Sequence, residues 1–311
     1  MGNAVGKRVG TLSWALLCGL FCTVLATGAA AQQTEDSQRK AVWAAADAAM
    51  LQGPQTIKLL DQGELALPDG YGFVPRAESV KVMELMGNQT DERFIGLIFP
   101  LAADDKNWFV TLDYEAAGYI KDDEAKDWKA DELLDNLKEG TEAGNERRQK
   151  VGAPALKVTR WIEPPNYDAS QHRLVWSAEV TLKDGEDPDP GVNYNTYVLG
   201  REGYISMNLV TSASTVNSDK PAAKQLLAAI NFNSGKRYTD FNSSTDKVAA
   251  YGLAALVGGL AIKKLGLLAV IGAFLLKFAK VGILLAAGGA AAIKKFFTRK
   301  SAKDSNESSD A

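Results

Sequence analysis

The chain of 311 residues is 46% hydrophobic and 23% charged, which excludes a disordered or collagen-like protein. Its net charge of −3 is an average over three unlike segments. Residues 1–31 carry two basic and no acidic side chains, residues 32–245 carry 23 basic and 34 acidic ones, and residues 246–311 carry ten basic and four acidic ones. We therefore expect three different physical environments along the chain.

Residues 1–31 have the order of parts that is typical of a secretory signal peptide. A basic pair at 7–8 precedes an uncharged, largely apolar run over 12–26, and three alanines at 29–31 provide small residues at a cleavage site. The run is short for a membrane span, which favours cleavage over an uncleaved anchor. We predict that residues 1–31 are removed and that the rest of the chain is exported.

Both cysteines of the chain, Cys18 and Cys22, lie inside the predicted signal peptide, so the mature chain has none. Disulfides, thiol catalysis and cysteine metal sites are therefore excluded from it. Neither cysteine follows a small residue, as a lipoprotein signal requires, because Leu17 and Phe21 precede them. An exported domain without disulfides must be stabilised by its hydrophobic core.

Residues 32–245 predict one exported domain of mixed secondary structure, in which turn residues separate short apolar runs. In chain order the predicted elements are a helix at 35–52, strands at Thr56–Leu60, Glu64–Leu67 and Tyr71–Val74, a helix at Arg76–Met86, strands at Arg93–Phe99 and Trp108–Tyr114, a charged helix at Asp123–Arg148, strands at Leu156–Ile162, His172–Leu182, Asn193–Leu199 and Tyr204–Thr211, a helix at Asp219–Ile230 and a short strand at Gly235–Phe241.

The connections between most neighbouring strands are too short for a parallel crossover, so the sheet should be mainly antiparallel. With helices covering it, the predicted fold is an α+β sandwich. Pro164–Pro165 is expected to end the strand that begins at Leu156, and Pro221 to lie in the first turn of its helix. Asn242–Thr245 is expected to be a polar linker.

Residues 246–297 predict a membrane anchor of one or two helices. No acidic residue occurs over 248–293, but lysines split this run into pieces of 12 to 15 residues. A spanning helix needs roughly 20, so a single span, a two-helix hairpin and an amphipathic helix on the membrane surface all stay open. The basic stretch 294–300 favours a single span with a cytoplasmic tail.

Two further expectations concern this C-terminal part of the chain. Gly259, Gly266 and Gly288 lie on one face of an ideal helix together with lysines, so copies of the chain could pack closely through these anchor glycines. Residues 298–311 are small and polar, and we expect them to be disordered.

The sequence predicts no catalytic, cofactor-binding or metal-binding residues. His172 is the only histidine, and no nucleophile motif accompanies it. Acidic clusters at Asp104–Asp105, Asp122–Glu124 and Asp184–Asp189 could serve hydrolysis, and the last of them could hold a calcium ion, but solvated loops explain them as well. Gly200–Gly203 lacks the lysine and following helix of a phosphate loop. The net charge of −11 over 32–245 disfavours nucleic acid as a partner.

Three stretches carry a resemblance to a known family: GELALPDGYGFVP at 63–75, NYNTYVLGREGY at 193–204 and DKVAAYGLAALVG at 246–258. Over roughly 50–297 the chain resembles the bacterial membrane-anchored proteins of domain-of-unknown-function family 2167. The resemblance implies the order of signal, domain and anchor, and it carries over no catalytic residues. The first two stretches and the closing helix also resemble the Mog1/PsbP type of α/β sandwich, which implies a binding and assembly module.

These observations lead to one expectation and two alternatives. We expect an envelope-exposed binding or assembly protein without catalytic activity or cofactor, anchored in the bacterial inner membrane. Its acidic domain would lie on the periplasmic side and engage a protein partner, and the anchored chain would contact membrane lipid. The alternatives are a carboxylate-dependent hydrolase of envelope sugar or peptide, and a membrane-stress element that acts through the Lys/Gly-rich anchor.

Overall fold

The computed structural model describes residues 37–102, 108–150 and 153–258. Helix α1 covers 37–49, and the residues from Ala46 onward form one compact unit. The predicted signal peptide, the predicted tail and the part of the predicted anchor from Gly259 onward lie outside the described residues. Among the described residues, no helix is both long and apolar enough to cross a bilayer.

Two antiparallel sheets form the centre of the domain. The larger has eight strands in the order β1-β4-β5-β6-β10-β9-β8-β7, and the smaller has the order β11-β3-β2. The strands are β1 (Leu51–Gln52), β2 (Gln55–Leu59), β3 (Gly63–Leu67), β4 (Tyr71–Pro75), β5 (Phe94–Pro100), β6 (Phe109–Glu115), β7 (Leu156–Asp168), β8 (Arg173–Leu182), β9 (Gly191–Leu199), β10 (Tyr204–Ser212) and β11 (Ile230–Phe232). The predicted antiparallel, helix-covered architecture is confirmed.

Helices lie between and after these strands. They are α2 (Arg76–Leu85), α3 (Ala130–Lys150), α4 (Val216–Ala228) and α5 (Ala255–Gly258), together with short 3-10 helices at Asp123–Asp127 and Tyr238–Asp240. Helix α2 packs against β4 and β5, α3 against β7 and α5, and α4 against β9 and β10.

The large sheet separates two hydrophobic cores, because successive side chains of a strand point to opposite faces. On the first face, Tyr194 and Val198 of β9 pack with α4 and with the small sheet. On the second face, Tyr197 and Leu199 of the same strand pack with α3 and with residues near α5. We call these the first core and the second core.

Strand β7 runs through Pro164–Pro165 to Asp168, so the prediction that the prolines end it is wrong. Strand β7 is the last strand of the sheet and pairs only with β8. A proline there costs no ladder hydrogen bond on the outer side. The pairing of β7 with β8 shifts register three times between Val158 and Asn166, which lets the strand bend past the prolines.

Three other predicted boundaries differ from the structure. Helix α4 begins at Val216, so Pro221 lies inside it rather than in its first turn. The charged stretch from Asp123 is a 3-10 turn first and becomes helix α3 only at Ala130. The stretch Gly235–Phe241 contains a 3-10 turn instead of a strand. The last short strand is β11, and the sequence pattern assigned its first residue, Ile230, to the end of the preceding helix.

The domain extends beyond Thr245, where the sequence pattern placed the start of the anchor. Residues Asp246–Val257, which we call the C-terminal strap, lie against the second core. Three apolar side chains of the strap are buried: Leu253, Leu256 and Val257. The predicted linker Asn242–Thr245 is a turn closed by a hydrogen bond from the Asp246 amide to the Asn242 carbonyl. The first apolar residues of the predicted anchor thus belong to the folded domain.

Candidate functional site

The tight turn between β9 and β10 gathers side chains from distant parts of the chain. Arg201 in this turn donates two hydrogen bonds to the Asp246 carboxylate, at 2.6 and 2.8 Å. Its neighbour Glu202 accepts a bond of 2.6 Å from Lys236, whose Nζ also lies 3.4 Å from Asp61. We call these five residues the ion-pair hub. It joins the β2–β3 hairpin, the β9–β10 turn and the start of the strap.

Within the hub, each negatively charged side chain faces a positively charged one. The Arg201 guanidinium holds the pKa of Asp246 well below its usual range, with a smaller contribution from the Asn242 amide. Lys236 lowers the pKa of Glu202, and Glu202 raises the pKa of Lys236. Each acid of the hub is therefore ionised at neutral pH and paired with a cation.

The loop after β6 holds the beginning of the strap through its backbone. Tyr119 N–H donates to the Lys247 carbonyl and Ala249 N–H donates to the Tyr119 carbonyl, each at 2.8 Å. Gly118 makes this approach possible, because a Cβ at this position would lie 2.7 Å from the Lys247 carbonyl oxygen. Its φ of +94° is a second reason for glycine at this position.

Beside the strap, four rings form a continuous stack that we call the aromatic column. Phe241 stacks on Tyr119 at 3.8 Å between ring centroids, Tyr119 on Tyr238 at 4.4 Å, and Tyr238 on His172 at 4.2 Å. Tyr238 is buried and donates to the Ile120 carbonyl at 2.7 Å, whereas the other three rings are half-buried. Burial raises the pKa of Tyr238, with a further contribution from Tyr119.

His172, at one end of the column, also joins an acid and a phenol. The Tyr167 hydroxyl donates to Asp122 at 2.6 Å and lies 3.3 Å from His172 Nδ1, which is 3.8 Å from the same carboxylate. Because the hydroxyl hydrogen is directed to Asp122, the lone pairs of the Tyr167 oxygen face Nδ1 of His172. Burial and this Asp122 contact raise the pKa of Tyr167.

Such an arrangement suits recognition. It offers half-buried aromatic surface, a carboxylate and an imidazole, all fixed by neighbouring groups. The groups near Nδ1 of His172 are a phenol at 3.3 Å and a carboxylate at 3.8 Å.

The structure separates the acidic clusters of the sequence. Asp122 joins the Tyr167–His172 contact, whereas Asp184–Asp189 lies in the loop between β8 and β9, at the other end of a strand about 30 Å long. Asp104–Asp105 lies outside the described residues. Within the parts of the chain that the structure describes, no three His, Cys, Asp or Glu side chains are grouped as metal ligands. The aromatic column has no local sequence signal, since its rings come from three separate parts of the chain, at 119, at 172 and at 238–241.

Residues 51–288 match the model of one protein family, described as "Protein of unknown function (DUF2167)". The chain belongs to this family. The three stretches that resemble this family meet around the ion-pair hub. The stretch 63–75 begins at Gly63, beside the hub, and the stretch 193–204 contains Arg201 of the hub. The stretch 246–258 contains Asp246 of the hub and the rest of the strap. Among curated proteins, no match was found.

Solved structures give distant neighbours. They include cyanobacterial PsbP (CyanoP) from Synechocystis sp. PCC 6803, with 11% identity over 58% of this chain and 92% of that chain and a TM-score of 0.36. A mutant of the protein Mog1 has 9% identity, 57% and 94% coverage and a TM-score of 0.30. A putative regulator of unknown function from Pseudomonas aeruginosa has 12% identity, 55% and 91% coverage and a TM-score of 0.25. These low scores leave the finer Mog1/PsbP assignment a prediction.

Proposed function

We propose that the protein is a membrane-anchored binding or assembly module of the bacterial envelope and has no catalytic activity. Its acidic domain engages a protein partner on the periplasmic side of the inner membrane. A C-terminal helical segment anchors it, and the basic tail lies in the cytoplasm. Residues 1–31 serve as the cleaved export signal. Within this proposal, the fold is a Mog1/PsbP-like sandwich.

The aromatic column is the observation that carries the proposal. Protein interfaces are enriched in aromatic residues, and their energetic centres are partly exposed rings held in fixed positions. Tyr119, Phe241 and His172 meet this description, because each is held by stacking and His172 also contacts the Tyr167 hydroxyl.

The acidic residues around the column favour a partner with a basic surface. Asp123 and Glu124 are exposed directly beside Asp122, and the solvent face of α3 continues the acidic surface with Asp131 and Asp135. Exposed lysines at 121, 126 and 129 lie among these acids, but the acids outnumber them. A surface of net negative charge steers a positively charged partner and disfavours nucleic acid and other polyanions.

Site-specific crosslinking tests this proposal. In the full chain in its native membrane, Phe241 is replaced by p-benzoylphenylalanine, which keeps an aromatic ring in the column. The control places the same group at Glu186, an exposed residue of the β8–β9 loop at the other end of the sheet. We expect irradiation to give a protein adduct from position 241 and none from position 186. Recovery of the unmodified protein at both positions would refute partner binding through the column.

Topology is tested separately with single cysteines in a chain whose Cys18 and Cys22 are replaced by serine. A membrane-impermeant maleimide should modify Glu186→Cys in spheroplasts and should leave Ser301→Cys unmodified until the membrane is opened. Modification of both positions in intact spheroplasts would contradict the single-span arrangement.

The two alternatives make different predictions. A carboxylate hydrolase needs two acids within roughly 5–10 Å, and Asp122–Glu124 and Asp184–Asp189 lie at opposite ends of the sheet. A membrane-stress element depends on the Lys/Gly-rich segment, most of which lies beyond the described residues. If the exported domain without residues 259–311 restored wild-type growth to a deletion strain, that alternative would fail.

A further inference from the structure

The C-terminal strap is attached to the domain at a small number of polar points. At its beginning are the Arg201–Asp246 pair and the backbone bridge between Tyr119 and Val248. Further along, Ala254 N–H donates to Glu124 at 2.7 Å, and Trp176 Nε1 donates to the Leu256 carbonyl at 3.0 Å. The Arg201–Asp246 pair and the Glu124 contact lie at or near the surface, whereas the Trp176 bond is buried. Within the described residues the strap adds no strand to the large sheet.

The strap also buries few side chains. Leu253, Leu256 and Val257 insert into the second core, beside Trp176, Tyr197 and Tyr204. The helix that carries them, α5, is a single turn of four residues. Such a turn does not persist without tertiary contacts, so release of the three side chains would release the whole strap.

The sheet face that the strap contacts through Trp176 also carries a row of buried polar groups. Thr111, Asn208 and Asn195 stand side by side on β6, β10 and β9, and the next residue in this row is Trp176. Each of the first three has a buried oxygen without a hydrogen-bond partner among the described residues. An unpaired buried oxygen costs free energy that water reaching it would recover, and Trp176 is the member of this row that bonds to the strap.

We propose that the strap is a latch on the second core. It exchanges between a seated state and a released state while the rest of the domain stays folded. In the released state Trp176 and its neighbours on the second face become accessible. The Arg201–Asp246 pair sets the balance between the two states, and the apolar sequence that follows Gly258 is covalently joined to the moving part.

Thiol labelling of the full chain tests the latch, in the background with Cys18 and Cys22 replaced by serine. Val257→Cys reports on the strap and Val110→Cys on a central strand, and both native side chains are 1% exposed. We expect Val257→Cys to be modified at least tenfold faster than Val110→Cys under native conditions. Equal rates would overturn the proposal, because the strap would then open only with the whole domain.

Two further variants test the role of the ion pair. Asp246→Asn keeps the shape of the side chain and removes its charge, and it should accelerate labelling of Val257→Cys at least fivefold while leaving Val110→Cys unchanged. The control is Arg160→Gln, which removes the exposed pair with Glu179 on β7 and β8 and should change neither rate. If Asp246→Asn accelerated both rates alike, the pair would stabilise the whole fold and the latch would be refuted.

Discussion

The two faces of the large sheet are built differently. The first core joins α4, the small sheet and the large sheet through mainly aliphatic side chains, with Trp108 and Tyr194 among its buried aromatic residues. The second core has more aromatic residues packed in and around it, adjoins a row of polar side chains and is closed in part by a strap from the end of the chain. The recognition and movement that we propose both involve this second face.

The largest expected effect is on the free energy of unfolding, which should fall more for a truncation in the first core than for one in the strap. Leu226→Ala in α4 and Leu253→Ala in the strap each remove a side chain that is 0% exposed. Leu226→Ala should lower the free energy of unfolding by about 2–5 kcal/mol, as other core truncations do. Leu253→Ala should cost less than half as much, because release of the strap limits the loss. Urea denaturation measures both, and equal losses would make the strap an integral part of the core.

Most strands were predictable, whereas the part of the second core that the strap supplies was not. Alternating apolar residues identify β8, since a period of two follows directly from strand geometry. The strap was assigned to an anchor because its composition is that of a membrane segment, and only tertiary contacts with Trp176 and Arg201 distinguish the two. The aromatic column depends on the fold bringing Tyr119, Tyr238 and His172 together, which no local pattern encodes.

Two glycines at opposite ends of the β9–β10 strand pair differ in the space that a side chain would find there. A Cβ on Gly203 would lie 1.9 Å from the Glu115 carbonyl oxygen, whereas one on Gly191 would meet nothing within 4 Å. Gly203→Ala should therefore lower the free energy of unfolding by about 1–3 kcal/mol, since the backbone of β6 must shift. Gly191→Ala should change it by less than about 0.5 kcal/mol. Thermal or urea unfolding of both variants checks this, and similar losses would contradict it.

Two buried threonines, one on each face of the large sheet, differ in whether their hydroxyl group is hydrogen-bonded. Thr111 and Thr196 are both 0% exposed, but Thr196 donates to the Met207 carbonyl, and the Thr111 hydroxyl has no partner among the described residues. Thr111→Val should raise the free energy of unfolding by about 1 kcal/mol, and Thr196→Val should lower it by about the same amount. Opposite signs in urea denaturation are the expected result. A loss in both variants would mean that the Thr111 hydroxyl is satisfied in solution.

The smallest effect concerns the dependence of strap release on pH. Arg201 holds the pKa of Asp246 below its ordinary value of 3.8, so the pair contributes fully above that value and its contribution is lost as the pH falls through the pKa of the folded state. Labelling of Val257→Cys with a disulfide reagent that reacts in acid, normalised to a free thiol, should therefore be constant from pH 7 to pH 5 and should accelerate below about pH 4. Asp246→Asn should be fast throughout and should lack the acceleration. Other carboxylates titrate in the same pH range. The decisive quantity is therefore the difference in labelling rate between the chains with and without Asp246→Asn. Parallel pH profiles of the two would assign the acid sensitivity to groups outside the ion-pair hub.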